Sequence, residues 1–127
     1  STEALFAGPD VPDFVFVPAF AAGDIHFPKP DLAFNIASFQ EMTNAQVTGY
    51  VNILADAGCE RIYSLNRDRS PYNGELSTVT ELLATRYGVE AVEVLPEPYT
   101  VLAAEPPTSA TPVVTDYRHV VGRLLLA

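Results

Sequence analysis

Apolar positions along this chain fall into short runs separated by Pro, Gly and polar clusters, and two periods are visible in them. "FVFVPAF" (14–20) is a wholly apolar run among prolines, which predicts a buried strand. "DLAFNIASF" (31–39) predicts a second, with Asn35 set among Leu32, Ala33, Phe34 and Ile36. From Thr43 to Gly58 the period changes to that of a helix: Val47, Tyr50, Val51 and Leu54 share one face. Thr43 and Gln46 have the spacing of a capping box, and Gly58 can supply a left-handed closing residue. "RIYSL" (61–65) predicts a strand, and a second helix is expected over about 76–87, ended by Gly88. "AVEVL" (91–95) and "VVTDYRHVVGRLLL" (113–126) predict the remaining strands, with Gly122 a bulge in the last. Residues 1–13 and 96–112 are expected to be irregular.

The order β, β, α, β, α, β, β predicts one α/β domain over 1–127 with a largely parallel sheet and an antiparallel last strand. In open α/β sheets the carboxyl ends of the strands are where ligands bind. The second strand leaves the core without a Gly or Pro and runs straight into Ser38, Gln40 and Glu41. The polar loop "NRDRSPYNGE" (66–75) follows the next strand and is long for a compact domain. These two exits are the candidate site.

Composition narrows what could bind there. A net charge of -9, with only seven Lys and Arg, argues against a nucleic-acid backbone as the ligand. Three of those cations, Arg61, Arg67 and Arg69, nonetheless lie close together in sequence. No apolar run approaches the roughly 20 residues that span a bilayer, so no membrane partner is expected. No basic segment followed by an apolar one opens the sequence, so no signal peptide is expected, and Cys59, the single cysteine, allows no internal disulfide. The expected location is cytoplasmic. Asp24 and His26 are too few to predict a metal site.

"N-x-x-S-F-Q-E-M" at 35–42 and "Y-S-L-N-R-D-R-S-x-Y-N" at 63–73, in this order and spacing, resemble class I S-adenosylmethionine-dependent methyltransferases. More narrowly, they resemble a bacterial family of sugar O-methyltransferases. The similarity spans roughly 14–99. It implies a Rossmann-like three-layer sheet in which 31–39 is the fourth strand, 61–65 the fifth and 14–20 the third, with 113–126 the terminal antiparallel strand. It implies S-adenosylmethionine as cofactor, held in part by Asn35, Ser38 and Phe39. A sugar acceptor would be bound by Gln40, Asn66, Arg67, Arg69, Tyr72 and Asn73. A hydroxyl acceptor needs a base to take its proton; Glu41 is the first candidate and His26 the second. A carboxylate at position 41 would also favour the start of the following helix electrostatically, and Asn35 needs a hydrogen-bond partner with or without a ligand.

The chain departs from that family in one large respect. Its seven glycines include no G-x-G pair, and nothing before residue 14 can form two strands and two helices. The chain therefore reads as the carboxyl-terminal half of a methyltransferase-like domain: a truncated product, a proteolytic remnant or one piece of a split protein. Its parent would be the enzyme, and the chain alone is expected to be inactive. The flank of the 32–39 strand should then be an unpaired edge that attracts the missing amino-terminal half or a second copy. The alternative is a non-catalytic binding or assembly module that keeps the fold without the cofactor-binding half.

Overall fold

The computed structural model describes residues 12–70, 72–92, 101–102, 113–114 and 117–125. Strand β1 (Ala33–Ile36) leads through a short 3-10 turn (Phe39–Glu41) into helix α1 (Asn44–Asp56), which returns the chain to β2 (Arg61–Arg67). Helix α2 (Val79–Ala84) and strand β3 (Tyr87–Ala91) follow, then the two-residue strands β4 (Val101–Leu102) and β5 (Val113–Val114), and finally β6 (Tyr117–Leu124). The sheet order is β1-β2-β6-β3. β1 and β2 are parallel, and β6 runs antiparallel between β2 and β3. β4 and β5 pair only with each other. The protein is thus α/β with a mixed sheet. Only one strand pair of the main sheet is parallel, where a largely parallel sheet was expected. Among the described residues no helix is long and apolar enough to cross a membrane.

Local signals account for α1. The Thr43 side chain accepts from the Gln46 N–H, and the Gln46 side chain accepts from the Thr43 N–H, closing the capping box. Gly58, at φ +75°, ends the helix in the left-handed region that favours glycine. Val47, Val51 and Ala55 on α1 pack with Val79 and Leu83 of α2 over Ile62, Tyr87 and Val120 of the sheet. Both helices therefore cover the same face. Among the described residues this makes two layers, not three. On the other face, Phe34 and Ile36 of β1 are 68% and 55% exposed, so the second predicted strand is half-covered and not fully buried.

Several boundaries differ from expectation, each for a packing reason. Residues 14–18 form no strand, and Phe14 and Phe16 are 80% and 94% exposed. A strand needs a ladder partner, and β1, at the sheet edge, pairs only with β2. Helix α2 is half as long as its apolar spacing suggested, because Tyr87 turns into the core as the first residue of β3. β3 accordingly lies at 87–91 instead of 91–95; 93–95 fall outside the described residues, as does most of 96–112. Gly88 is inside that strand. Gly122 is not a bulge, since it pairs in regular register with Ile62 and Val89. A Cβ there would lie 2.7 Å from Ile62 Cγ2 and 3.0 Å from Tyr87 Cβ, so glycine is what lets the two side chains close over β6.

Tyr87 also links the fold to pH. Its ring is 1% exposed and its hydroxyl donates to the Cys59 carbonyl at 3.1 Å. Burial, helped by the nearby Cys59 and opposed by Arg86, pushes the phenol up to about 12. An unfolded tyrosine ionises near about pH 10. The folded state therefore holds its proton longer, and Tyr87's contribution is complete below that pH and lost as pH rises toward 12. Chemical denaturation across this window should show stability falling in the wild type, with a shallower fall in Tyr87→Phe. Equal slopes would contradict the assignment.

Candidate functional site

The exits of β1 and β2 lie side by side, and the chain closes over them without a glycine. Ala37 makes the turn at φ 50°, a conformation that costs a residue with a side chain on the order of 1 kcal/mol. Its N–H still donates to the Leu65 carbonyl at 2.8 Å, and the turn carries Ser38 to Glu41 back over β2. Asn66, 2% exposed, fastens it. Its Oδ1 accepts from the N–H groups of Ser38 (3.1 Å) and Gln40 (3.3 Å). Its Nδ2 donates to Asn35 Oδ1 (2.9 Å) and Ser64 Oγ (2.8 Å). Asn35 Oδ1 in turn accepts from the Phe39 N–H at 3.1 Å.

The loop after β2 is fixed the same way. Gln40 is buried; its Oε1 accepts from the Arg67 N–H (2.8 Å), and its Nε2 donates to Glu41 Oε1 (3.0 Å) and the Tyr117 hydroxyl (3.3 Å). Asn73 Nδ2 donates to the carbonyls of Gln40 and Met42, while its Oδ1 accepts from the Glu75 N–H. Asp68 accepts from the N–H groups of Val79 and Thr80 at the start of α2 and pairs with Arg118 at 3.0 Å.

Strand alternation divides the predicted site residues. Asn66 points to the helix-covered face, where its side chain, with those of Gln40 and Asn73, is committed to holding backbone. Arg67 points to the opposite face. There its guanidinium lies 5.2 Å from the centre of the Tyr117 ring, its partner in the β2–β6 register, and 5.9 Å from the Tyr72 ring. Its Nε is buried and has no hydrogen-bond partner. Glu41 is exposed beside this cluster, joined to Tyr117 through Gln40. Arg69 is exposed on the same loop.

On the other side of the turn, a groove of about 640 Å³ runs along the unpaired edge of β1. Asn35, Phe39, Tyr50, Ile53 and Leu54 are among the residues that line it. Phe39 is 3% exposed and stacks on Tyr50, so it serves the core as much as the groove. Among the described residues Asn35 Nδ2 and Ser38 Oγ have no hydrogen-bond partner; Asn35 lines the groove and Ser38 follows in the turn. Such a volume is within the usual range for small-molecule sites.

His26 falls elsewhere. It is exposed in a cleft with Ile53, Asp56 and Ala57 at the carboxyl end of α1. Glu41 precedes the amino end of this 13-residue helix, which at 1.5 Å per residue is about 20 Å long. The two candidate bases do not share a site. Tyr117 and Ala37 belong to the site and carry no sequence signal of their own. Only the β2–β6 register brings Tyr117 to Arg67, and an alanine in the left-handed region is invisible in a one-letter string. Asp68 lay inside the loop already singled out, but its role as the anchor of α2 depends on the fold.

In comparisons with known proteins, no family model, no curated protein and no solved structure matches the chain.

The site's rigidity therefore rests on one amide. Replacing Asn66 by Ala leaves two backbone N–H groups without an acceptor and should cost about 2–4 kcal/mol of unfolding free energy. Arg69→Ala should stay within about 0.5 kcal/mol. Urea midpoints for the two variants check this, and an Asn66→Ala midpoint at the wild-type value would contradict it.

Proposed function

We propose that this chain is the carboxyl-terminal half of an S-adenosylmethionine-dependent O-methyltransferase domain acting on a sugar hydroxyl. The observation that carries the reading is the groove along the edge of β1 that no described strand pairs, lined by Asn35, whose Nδ2 is uncommitted among the described residues, with Ser38 following in the turn beyond it. The antiparallel last strand is consistent with the resemblance drawn above. An added strand, from the amino-terminal half of the domain or from a second copy, would pair with β1 and roof the groove. That strand also has to supply what this chain lacks, since no glycine-rich turn is present to let the backbone approach the cofactor.

S-adenosylmethionine supplies an activated methyl group for a nucleophilic oxygen. In this chain Asn35 and Ser38 would hold the donor side, and the apolar wall of Phe39 and Tyr50 would exclude water. Glu41 takes the proton of the acceptor hydroxyl; His26, at the far end of α1, has no part in it. Gln40 positions Glu41 through the 3.0 Å bond from Nε2. Much of the rate in such a reaction comes from holding donor and acceptor in line, and the buried amide network around Asn66 provides the rigid base for that.

One observation favours a second reading, a non-catalytic binding or assembly module: Asn66, Gln40 and Asn73 are occupied by backbone and are not available to a ligand. Calorimetric titration with S-adenosylmethionine separates the two. The enzyme reading predicts saturable binding that strengthens as chain concentration rises and association roofs the groove, and that is lost in Ser38→Trp. A folded chain that binds no S-adenosylmethionine at any concentration would leave the assembly module.

A further inference from the structure

Arg67 differs from the other cations of this protein. Lys29, Arg86 and Arg118 each pair with a carboxylate, while Arg61, Arg69 and Arg123 are exposed to solvent. Arg67 is partly buried, lies against two aromatic rings and forms no ion pair among the described residues. The neighbouring carboxylate, Asp68, is already taken by Arg118 and by the start of α2. A buried N–H without an acceptor is a standing cost of about 1–3 kcal/mol, and Arg67 Nε is one. The two rings, 5.9 and 5.2 Å away, restrain the guanidinium, which suits a two-pronged contact with a planar or tetrahedral oxyanion.

Resting on the methyltransferase reading above, we propose that the acceptor is an anionic sugar whose carboxylate or phosphate is received by Arg67 between Tyr72 and Tyr117. The oxyanion accepts from the terminal N–H groups of the guanidinium, and the buried Nε–H beside them reports its arrival. The Tyr72 ring, 81% exposed on a surface turn, is the wall of the clamp least held by packing and offers its face to the sugar ring. Glu41 would repel an anion placed against it, so the charge sits at Arg67 and a hydroxyl sits at Glu41. That division orients the sugar. Arg69, exposed on the same loop, adds positive potential without contact.

The test uses the whole 127-residue chain, with glucuronate, glucose 6-phosphate, glucose and inorganic phosphate as probes, followed by calorimetry and by the Arg67 Nε–H signal in nitrogen-edited NMR. At least one anionic sugar should bind roughly tenfold or more tighter than glucose. Its addition should shift the Nε–H signal, and the preference should vanish in Arg67→Lys and survive in Arg123→Ala, an exposed arginine at the far end of β6. A preference for glucuronate identifies a sugar acid, and one for glucose 6-phosphate a sugar phosphate. Equal binding of glucose, an unmoved Nε–H signal, a preference that persists in Arg67→Lys, or inorganic phosphate binding as tightly as glucose 6-phosphate would each overturn the proposal. Should Arg67→Lys fail to fold, the wild-type Nε–H signal decides. S-adenosylmethionine titrated into the same samples separates the two claims. Its binding without an anion preference overturns this proposal alone, and an anion preference without its binding overturns the methyltransferase reading alone.

Discussion

The Asn66 side chain is the point on which this structure turns. A parallel strand pair leaves its two exits side by side with backbone groups that the ladder no longer satisfies, and a buried N–H without an acceptor is expensive. Here no glycine sits in the turn at the β1 exit to resolve this. One carboxamide does so, accepting from Ser38 and Gln40 and donating to Asn35 and Ser64. The left-handed Ala37 is tolerated because this network holds the chain on both sides of it.

Around that fixed point the site separates into parts with different work. Residues on the helix-covered face of the sheet hold backbone, and those on the other face and at the β1 edge keep unspent polar groups. A cluster of Asn, Gln, Arg and Tyr therefore does not act as one undifferentiated unit. Its amides build the platform, and its arginine, tyrosines and glutamate face outward from it. The 3-10 turn at Phe39–Glu41 joins the two, since Gln40 reaches Arg67, Tyr117 and Glu41 from within the platform.

How much of this the sequence revealed depended on whether the signal was local. Thr43, Gln46 and Gly58 mark α1 because capping and closure are decided within a turn of chain, and the structure places them as read. The Arg61–Leu65 strand was visible from its apolar content, though β6 extends it to Arg67. Elements that need distant partners were not legible. The 14–20 run is as apolar as a core strand, yet it has no ladder to join and Phe16 stays in solvent. Tyr87 has a helical neighbourhood in sequence and becomes a strand because the pocket below Gly122 receives its ring. That Asn35, Ser38, Gln40 and Asn66 mark two polar strand exits was legible, and the structure brings these residues together. Their commitment to one another was not, because a free amide and a bonded one look the same in sequence.

Amide hydrogen exchange at Ser38, Phe39 and Gln40 tests the central claim most directly. If Asn66 and Asn35 hold these three N–H groups, they exchange as slowly as the interior of β2 in the wild type. In Asn66→Ala the Ser38 and Gln40 groups become fast while α1 stays protected. Rapid exchange at all three in the wild-type chain, with β2 protected, would mean that the platform is not closed as described, and the separation of the site into a rigid base and an open face would fall with it.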